Sequence, residues 1–453
     1  MGGEVVGDIA VKGKGGRLLY DSAAGTPLSI SMPLTHRRHR GEALIPWLRN
    51  LLPDRDTVLM QWRRTFGVQS LSPIELLRHV GEEVAGAAQF VRQDRLTAAT
   101  TWQPARPVSD TEIGDMLRRS VAAIPESASD SDTGRFSLAG MQAKIALQRL
   151  DDGRWALPEG TNPTTHILKP AIANLQDQHV NEYLTMTAAR LAGLAVAATE
   201  VAVIDGVAVV IVERYDRFRA AGRWARAHQE DLLQVLGQHP EHKYENQGGP
   251  DVRTVAHAIR QATGVQCDVQ AFVSALVFHW LTISTDAHAK NYSLLLSGDA
   301  ARLAPLYDLN SYLYYGAGVP TDMSMRIGTE FRADRVAWSD WVSLARDVQV
   351  DQDWLADEIR RQATVLPDAF SDAARNLDGT DVVTSDLPQR LVGYLDQWTQ
   401  AALRQTKLSA ASTKTRGVTR NGDASGIGRA PRAIPASGQF TKRVHGESDL
   451  TLP

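Results

Sequence analysis

A single cysteine, Cys267, in 453 residues leaves no partner for an intramolecular disulfide, and no CxxC or Cys/His cluster stands at zinc-ligand spacing. A reducing cytoplasm fits that poverty. Cys267 lies in GVQCDVQAF without a histidine-rich partner motif, so it reads as a buried or idle thiol. Long apolar runs are missing too. No window reaches about 18 apolar residues, and MGGEVVGDIAVKGKGG has neither the apolar core of a signal peptide nor an Arg/Ser-rich transit composition. Secretion and membrane spanning are therefore not expected. Charge of one sign is also scarce, since 49 Lys and Arg against 52 Asp and Glu leave a net charge of −3, no global field for nucleic acid. No helix-turn-helix pattern stands out. No repeat recurs at solenoid periods.

What is present is ordinary globular material. With 43% hydrophobic and 22% charged residues, the chain can build sizeable cores, and its length suggests two to four domains or lobes of roughly 100–200 residues. Residues 1–95 read as a small α+β module. VVGDIAV, GRLLYDS and PLSISMPL look like short strands, then ALIPWLRNLLP and SPIELLRHV take up helical spacing, with Ser72 as an N-cap before Pro73. Residues 96–134 are linker-like, rich in Pro, Ser and Asp, with one short helix in TEIGDMLRRSV. Strand patterns return over 135–225 in FSLAG, AKIALQRL, WALPEG, HILKP, TEVAVID and VAVVIVERY, interrupted by the helix NEYLTMTAARLAGL. From 226 to 405 nearly everything reads helical. A strand-rich segment holding one helix, followed by helices, is the layout of a two-lobed kinase. The predicted fold class is α+β: a strand-rich N-lobe carrying the extra N-terminal module, and an all-helical C-lobe. Residues 406–453, rich in Ser, Thr, Gly, Ala and basic residues, read as a disordered basic tail.

Several polar residues sit where apolar segments end. In TDAHAKN, Asp286 and Asn291 stand five apart, the separation at which a phosphoryl-transfer loop supplies an acid for the acceptor hydroxyl and an amide oxygen for Mg²⁺. A capped surface turn has the same composition. His288 and Lys290, in the same loop, are placed to steady transferring phosphate oxygens. Asp308 ends a second strand-like piece, where a kinase keeps a carboxylate for Mg²⁺. Upstream, Ala139 and Gly140 with Lys144 in SLAGMQAK offer small residues and a point charge to phosphates, though a simple hairpin would read alike. Lys169 lies inside the apolar strand HILKP, and a buried lysine needs an anion. A nucleotide phosphate is one candidate, and Glu182 on the following helix would orient the amine. Glu213 and Tyr215 close VAVVIVERY beside the expected cleft, where adenine takes backbone hydrogen bonds. The HQED stretch, His228 to Asp231, has no role legible in the sequence.

SLAGMQAKIAL, THILKP, NEYLTMTAARLAGL, VERYDR, AHQEDLLQVLG, KYENQGGP, STDAHAKNYSLLL and LAPLYDL follow one another in an order that resembles the HipA family of serine/threonine kinases, toxins of bacterial toxin–antitoxin pairs. PLSISMPL, NLLPD and GEEVAGAAQF resemble that family's N-terminal module, so the likeness spans about 1–405. The resemblance implies an ATP- and Mg²⁺-dependent protein kinase that modifies an aminoacyl-tRNA synthetase, typically the glutamyl enzyme. It implies a small helix-turn-helix antitoxin (HipB-like) as partner, with operator DNA reached through it and no membrane. Asp286 would be the catalytic aspartate, Asn291 and Asp308 the metal ligands, Lys169 the phosphate-binding lysine, and Glu213 with Tyr215 the adenine-side hinge. His288, Gln229 and Tyr307 fall at nucleotide-contacting positions, and the loop Ala139, Gly140, Met141, Gln142 with Lys144 at the nucleotide-binding loop. Ser137 matches the autophosphorylated serine, whose roughly −1.5 to −2 charges would repel nucleotide phosphates. The loop reads DAH where DGH is common, a change that costs little unless Ala287 needs a positive φ. Other readings with similar features are a co-repressor that acts by binding a DNA-binding antitoxin, and a small-molecule phosphotransferase with the same D-x4-N spacing.

Overall fold

A computed structural model describes the chain apart from residues 2, 13–14, 123–138, 174, 299, 316–320, 409–440, 444–448 and 452–453. In the N-terminal module, β1 (Gly7–Lys12), β2 (Gly15–Tyr20) and β3 (Arg38–Arg40) form an antiparallel sheet. PLSISMPL supplies only an isolated bridge, Ser29 to Met32, in place of a strand. Helices α1 (Gly41–Arg49), α2 (Asp56–Thr65) and α3 (Pro73–Val80) close the module around Leu18, Leu44, Trp47, Leu48 and Leu77. Pro73 opens α3 as its fixed φ favours, while the Ser72 hydroxyl makes no capping bond.

The stretch with linker-like composition is built into the next lobe. After α4 (Leu96–Thr100), strand β4 (Arg106–Pro107) joins the sheet and α5 (Asp110–Ala122) lies on its face. The other strands are β5 (Ile145–Arg149), β6 (Trp155–Leu157) and β7 (His166–Pro170), then, beyond α6 (Gln178–Leu191), β8 (Thr199–Ile204) and β9 (Val207–Glu213). Their order is β4-β6-β5-β7-β9-β8. Val209 and Ile211 of β9 face the core of α5, with Ile113 and Leu117, whereas Val210 and Val212 face that of α6, with Val180 and Leu184. Both faces are covered, so VAVVIV has no need of a polar side.

Beyond the hairpin β10 (Arg217–Ala220) and β11 (Arg223–Arg226) come β12 (His228–Asp231), α7 (Leu232–Val235), α8 (Val252–Thr263) and α9 (Gln266–Thr282). Then follow β13 (Ser293–Ser297), β14 (Ala300–Leu303), β15 (Asp322–Ile327) and β16 (Glu330–Arg332), with α10 (Trp338–Val348), α11 (Gln352–Arg375) and α12 (Leu387–Gln405) closing the lobe. The two-lobed α+β arrangement is the expected one. The helical lobe is not wholly helical, however, because β12, β13 and β14 form one small sheet and β15 and β16 another. HQED has no apolar alternation of its own, and it becomes a strand only by pairing with Ser293–Leu296.

Cys267 is exposed rather than buried, near the start of α9, with the Arg302 guanidinium 3.8 Å from its sulfur. No described helix is long and apolar enough to cross a membrane. Of the residues after Leu408, Thr441–Arg443 and Asp449–Thr451 are described, as a paired antiparallel ribbon. The rest of the expected tail lies outside the described residues, as does Ser137.

Candidate active site

Between the sheet and the helical lobe runs a cleft of about 300 Å³, and the described candidate residues of the sequence reading line it, except Glu182, which is fully buried behind Lys169. Lys169 is paired with Val210 across β7 and β9, which puts its side chain on the α6 face. There its ammonium donates to Glu182 at 2.6 Å and to Asp308 at 2.8 Å. Burial alone would pull the amine down, but the two carboxylates hold it well above its ordinary value. Burial pushes Asp308 up, and Lys169 with Lys144 overrides it, so that carboxyl stays ionised. Asp308 takes a left-handed φ of 59°, a conformation that aspartate tolerates better than most residues. Lys144 donates to the Ala139 carbonyl at 2.7 Å. Burial, then the charge of Lys169, pushes its amine down to about 8. Gly140 has φ 111°, a conformation that strains residues carrying a Cβ, so the loop needs glycine there. The Gln142 amide donates to Pro170 O and Gln178 Oε1, tying the loop to β7 and α6, and Met141 is exposed.

Helix α9 is buried almost throughout, and it ends at Ile283 with φ 48°. A β-branched residue in that region is strained. The Ser284 N–H donates to His279 O at 2.8 Å and the Tyr312 N–H to Ile283 O at 3.1 Å, which fixes the reversal. The chain thereby delivers Asp286 to the cleft floor, where the Tyr244 hydroxyl donates to its Oδ1 at 2.5 Å. Desolvation raises the Asp286 carboxyl, and the Tyr244 bond opposes it. Asn291 donates its amide N–H to the Asp286 carbonyl at 2.8 Å, which turns its own carbonyl oxygen into the metal-capable end. Ala287 does not adopt a positive φ, so alanine in place of glycine causes no strain. Burial, then Lys243 and Lys290, pushes His288 down to about 3. It is neutral at working pH and has no charge to offer a phosphate.

Lys290 is bound to Asp54 of the N-terminal module at 2.7 Å. Its carbonyl accepts from the Tyr307 hydroxyl at 2.7 Å, and that hydroxyl also meets Ser293 Oγ. Tyr307 stacks on Tyr215, 5.6 Å between centroids, and Tyr215 donates to Gln229. These three build one wall, with Glu213 beside them.

HQED gains a role from strand alternation. Gln229 and Asp231 line the cleft, whereas His228 bonds Leu28 O and Glu230 accepts from Ser29, Ile30 and Trp47 in the N-terminal module. KYENQGGP likewise divides its work. Lys243 pairs with Asp54 at 3.1 Å, Tyr244 holds Asp286, and Glu245 binds Arg326. Sequence reasoning assigned no role to Asp54, Lys243, Tyr244 or Glu230; the signal present was that each lies in a stretch that carries the family resemblance, NLLPD, KYENQGGP or AHQEDLLQVLG.

Residues 1–91 match the family model described as HipA N-terminal domain, and residues 136–370, more than half the chain, match the HipA-like C-terminal domain. "Putative kinase Y4mE" of Sinorhizobium fredii is 34% identical over 360 residues, 78% of this chain and 84% of that protein. The serine/threonine-protein kinase toxin HipA of Shewanella oneidensis is 27% identical over 371 residues, 79% and 83% of the two chains. A solved complex of S. oneidensis HipA with HipB and operator DNA shares the fold at a TM-score of 0.74 and 23% identity, covering 88% of this chain and 95% of the solved one. With this architecture and these matches, the chain belongs to the HipA family and is a protein kinase.

Proposed function

We propose that the chain is the serine/threonine kinase toxin of a toxin–antitoxin pair, using ATP and Mg²⁺ to phosphorylate a protein of translation, an aminoacyl-tRNA synthetase of the glutamyl type. The observation that carries the reading is the convergence of Lys169, Glu182 and Asp308 with the Asp286–Asn291 loop in one cleft. The donor set suits the cofactor. Mg²⁺ is ordinarily bound by oxygen ligands, one or two carboxylates plus phosphates, and the cleft offers the carboxylate of Asp308 and the amide oxygen of Asn291. Asp308 and the Asn291 carbonyl would hold it. Held there, the ion would supply positive charge against the charge that develops on the transferred phosphoryl group. Lys169, steadied by Glu182, binds phosphate from the sheet side. Asp286, with its Oδ1 held by the Tyr244 hydroxyl, accepts or orients the proton of the acceptor hydroxyl. Ser137 is the proposed acceptor within the chain itself. The S. oneidensis complex contains HipB and operator DNA, which supports a small DNA-binding antitoxin as partner here, with DNA reached through it.

The test is transfer of label from radiolabelled ATP with Mg²⁺ to the chain and to purified synthetases, followed by mapping of the labelled serine. Asp286→Asn and Asp308→Asn should each lower transfer by about 10²-fold or more. Wild-type labelling in Asp286→Asn would sink the assignment.

A further inference from the structure

We propose that Asp54, from the N-terminal module, is a positioning residue of the kinase centre, holding Lys290 and Lys243 so that the catalytic loop keeps its working geometry. The inference rests on reading Asp286 and Asn291 as that loop.

The Asp54 carboxylate accepts from Lys290 Nζ at 2.7 Å through Oδ1 and from Lys243 Nζ at 3.1 Å through Oδ2. Its side chain is 10% exposed, and those of the two lysines 5% and 12%. Two ammonium groups thus share one carboxylate in a nearly dry place. Without it they would repel one another and each would lose its ion pair with Asp54. Each lysine adjoins a residue of the proposed chemistry. Lys290 precedes Asn291, and Lys243 precedes Tyr244, whose hydroxyl reaches Asp286 at 2.5 Å. One carboxylate therefore sets the neighbours of both the metal-capable amide and the catalytic acid.

The same turn also meets the nucleotide-binding loop. The Asp54 N–H donates to Gly140 O at 3.3 Å, and Pro53 bridges Gly140. Arg49 clamps the turn by donating to Pro53 O at 2.9 Å. Both ion pairs of the carboxylate cross to the helical lobe, while the core of its own module is assembled around Leu44, Trp47 and Leu48 without it. The contacts of Asp54 are thus those of a part of the cleft. Lys290 and Lys243 hold its carboxyl at about 2 in spite of burial, so it carries its charge at any working pH.

The experiment uses full-length protein, wild type against Asp54→Asn, which keeps the shape and removes the charge. ADP release from Mg-ATP gives kcat and KM, a fluorescent ATP analogue gives nucleotide affinity, and thermal unfolding gives Tm. Displacement of the loop should lower kcat roughly 10–100-fold, with nucleotide affinity changed less than about threefold and Tm within a few degrees of wild type. Because Asp54 acts partly through Lys290, the Asp54→Asn/Lys290→Gln double variant should lose less than the product of the two single losses. Wild-type kcat in Asp54→Asn, fully multiplicative losses, or a kcat loss no larger than the unfolded fraction explains would each overturn the proposal. If wild type releases no ADP, the kinase-centre assignment is what fails. Amide exchange then still decides, since protection at 286–291 unchanged by Asp54→Asn overturns the positioning role.

Discussion

At Lys144 the cleft keeps an amine close to losing its charge. Burial and the neighbouring Lys169 push it down to about 8, so it is charged below that pH and neutral above it. Arriving phosphates favour the charged form, and above pH 8 binding must take up a proton. Affinity for an ATP analogue should therefore fall as pH rises past 8, with a slope approaching about tenfold per pH unit. Lys144→Arg, whose guanidinium stays charged, should flatten that limb. Titrating the affinity from pH 6.5 to 9.5 checks both, and a wild-type limb that survives in Lys144→Arg assigns it to another group. In the sequence Lys144, Lys169, Asp286, Asn291 and Asp308 were marked out as ionisable or metal-capable groups within or at the ends of apolar segments, and the fold brings them to one cleft. Asp54 was not marked out, since its partners are 189 and 236 positions away, and no local pattern records such a pairing.

Among the elements, β12 shows how much a strand can do in four residues. Gln229 and Asp231 face the cleft while His228 and Glu230 face the N-terminal module, a division that period-two alternation imposes once the strand forms. The strand itself was hidden in the sequence. HQED is polar throughout, and only its pairing with Ser293–Leu296 makes it extended. By contrast, α9 and β9 were plain, because their apolar runs are long enough to reveal burial. All three neighbours of the Glu230 carboxylate are donors, Ser29 Oγ at 2.6 Å, Ile30 N–H at 2.8 Å and Trp47 Nε1 at 2.9 Å. In Glu230→Gln the new amide N–H₂ must face at least one of them. Loss of a buried bond on that scale costs about 1–3 kcal/mol. Chemical denaturation should show it as a lower midpoint with a smaller effect on nucleotide affinity, and an unchanged midpoint would mean that β12 does not fasten the module.

For the molecule as a whole, the order of lobes could be read from the sequence, but the fastening of the N-terminal module could not. Glu83 leaves that module to accept from Arg214 at 3.0 Å, from Arg217 at 2.5 Å and from Arg226. Asp216 closes the cluster, taking Arg214 Nη2 at 2.8 Å and the Gly86 N–H at 2.7 Å. VERYDR therefore has two duties: Glu213 and Tyr215 line the cleft, and Arg214, Asp216 and Arg217 grip the module. Burial would push the Glu83 carboxyl up, yet Arg226, Arg217 and Arg214 hold it at about 2. Glu83→Ala leaves three buried guanidiniums against Asp216 alone. Breaking a buried pair from one side costs about 3–5 kcal/mol, more than the loss of one hydrogen bond at Glu230. The module should then detach before the kinase lobes unfold, giving two thermal transitions and early proteolysis between residues 92 and 105. Because Asp54 travels with the module, ADP release should fall at temperatures where nucleotide still binds. A single transition at the wild-type Tm would show that the arginine cluster is not what couples the module to the kinase centre.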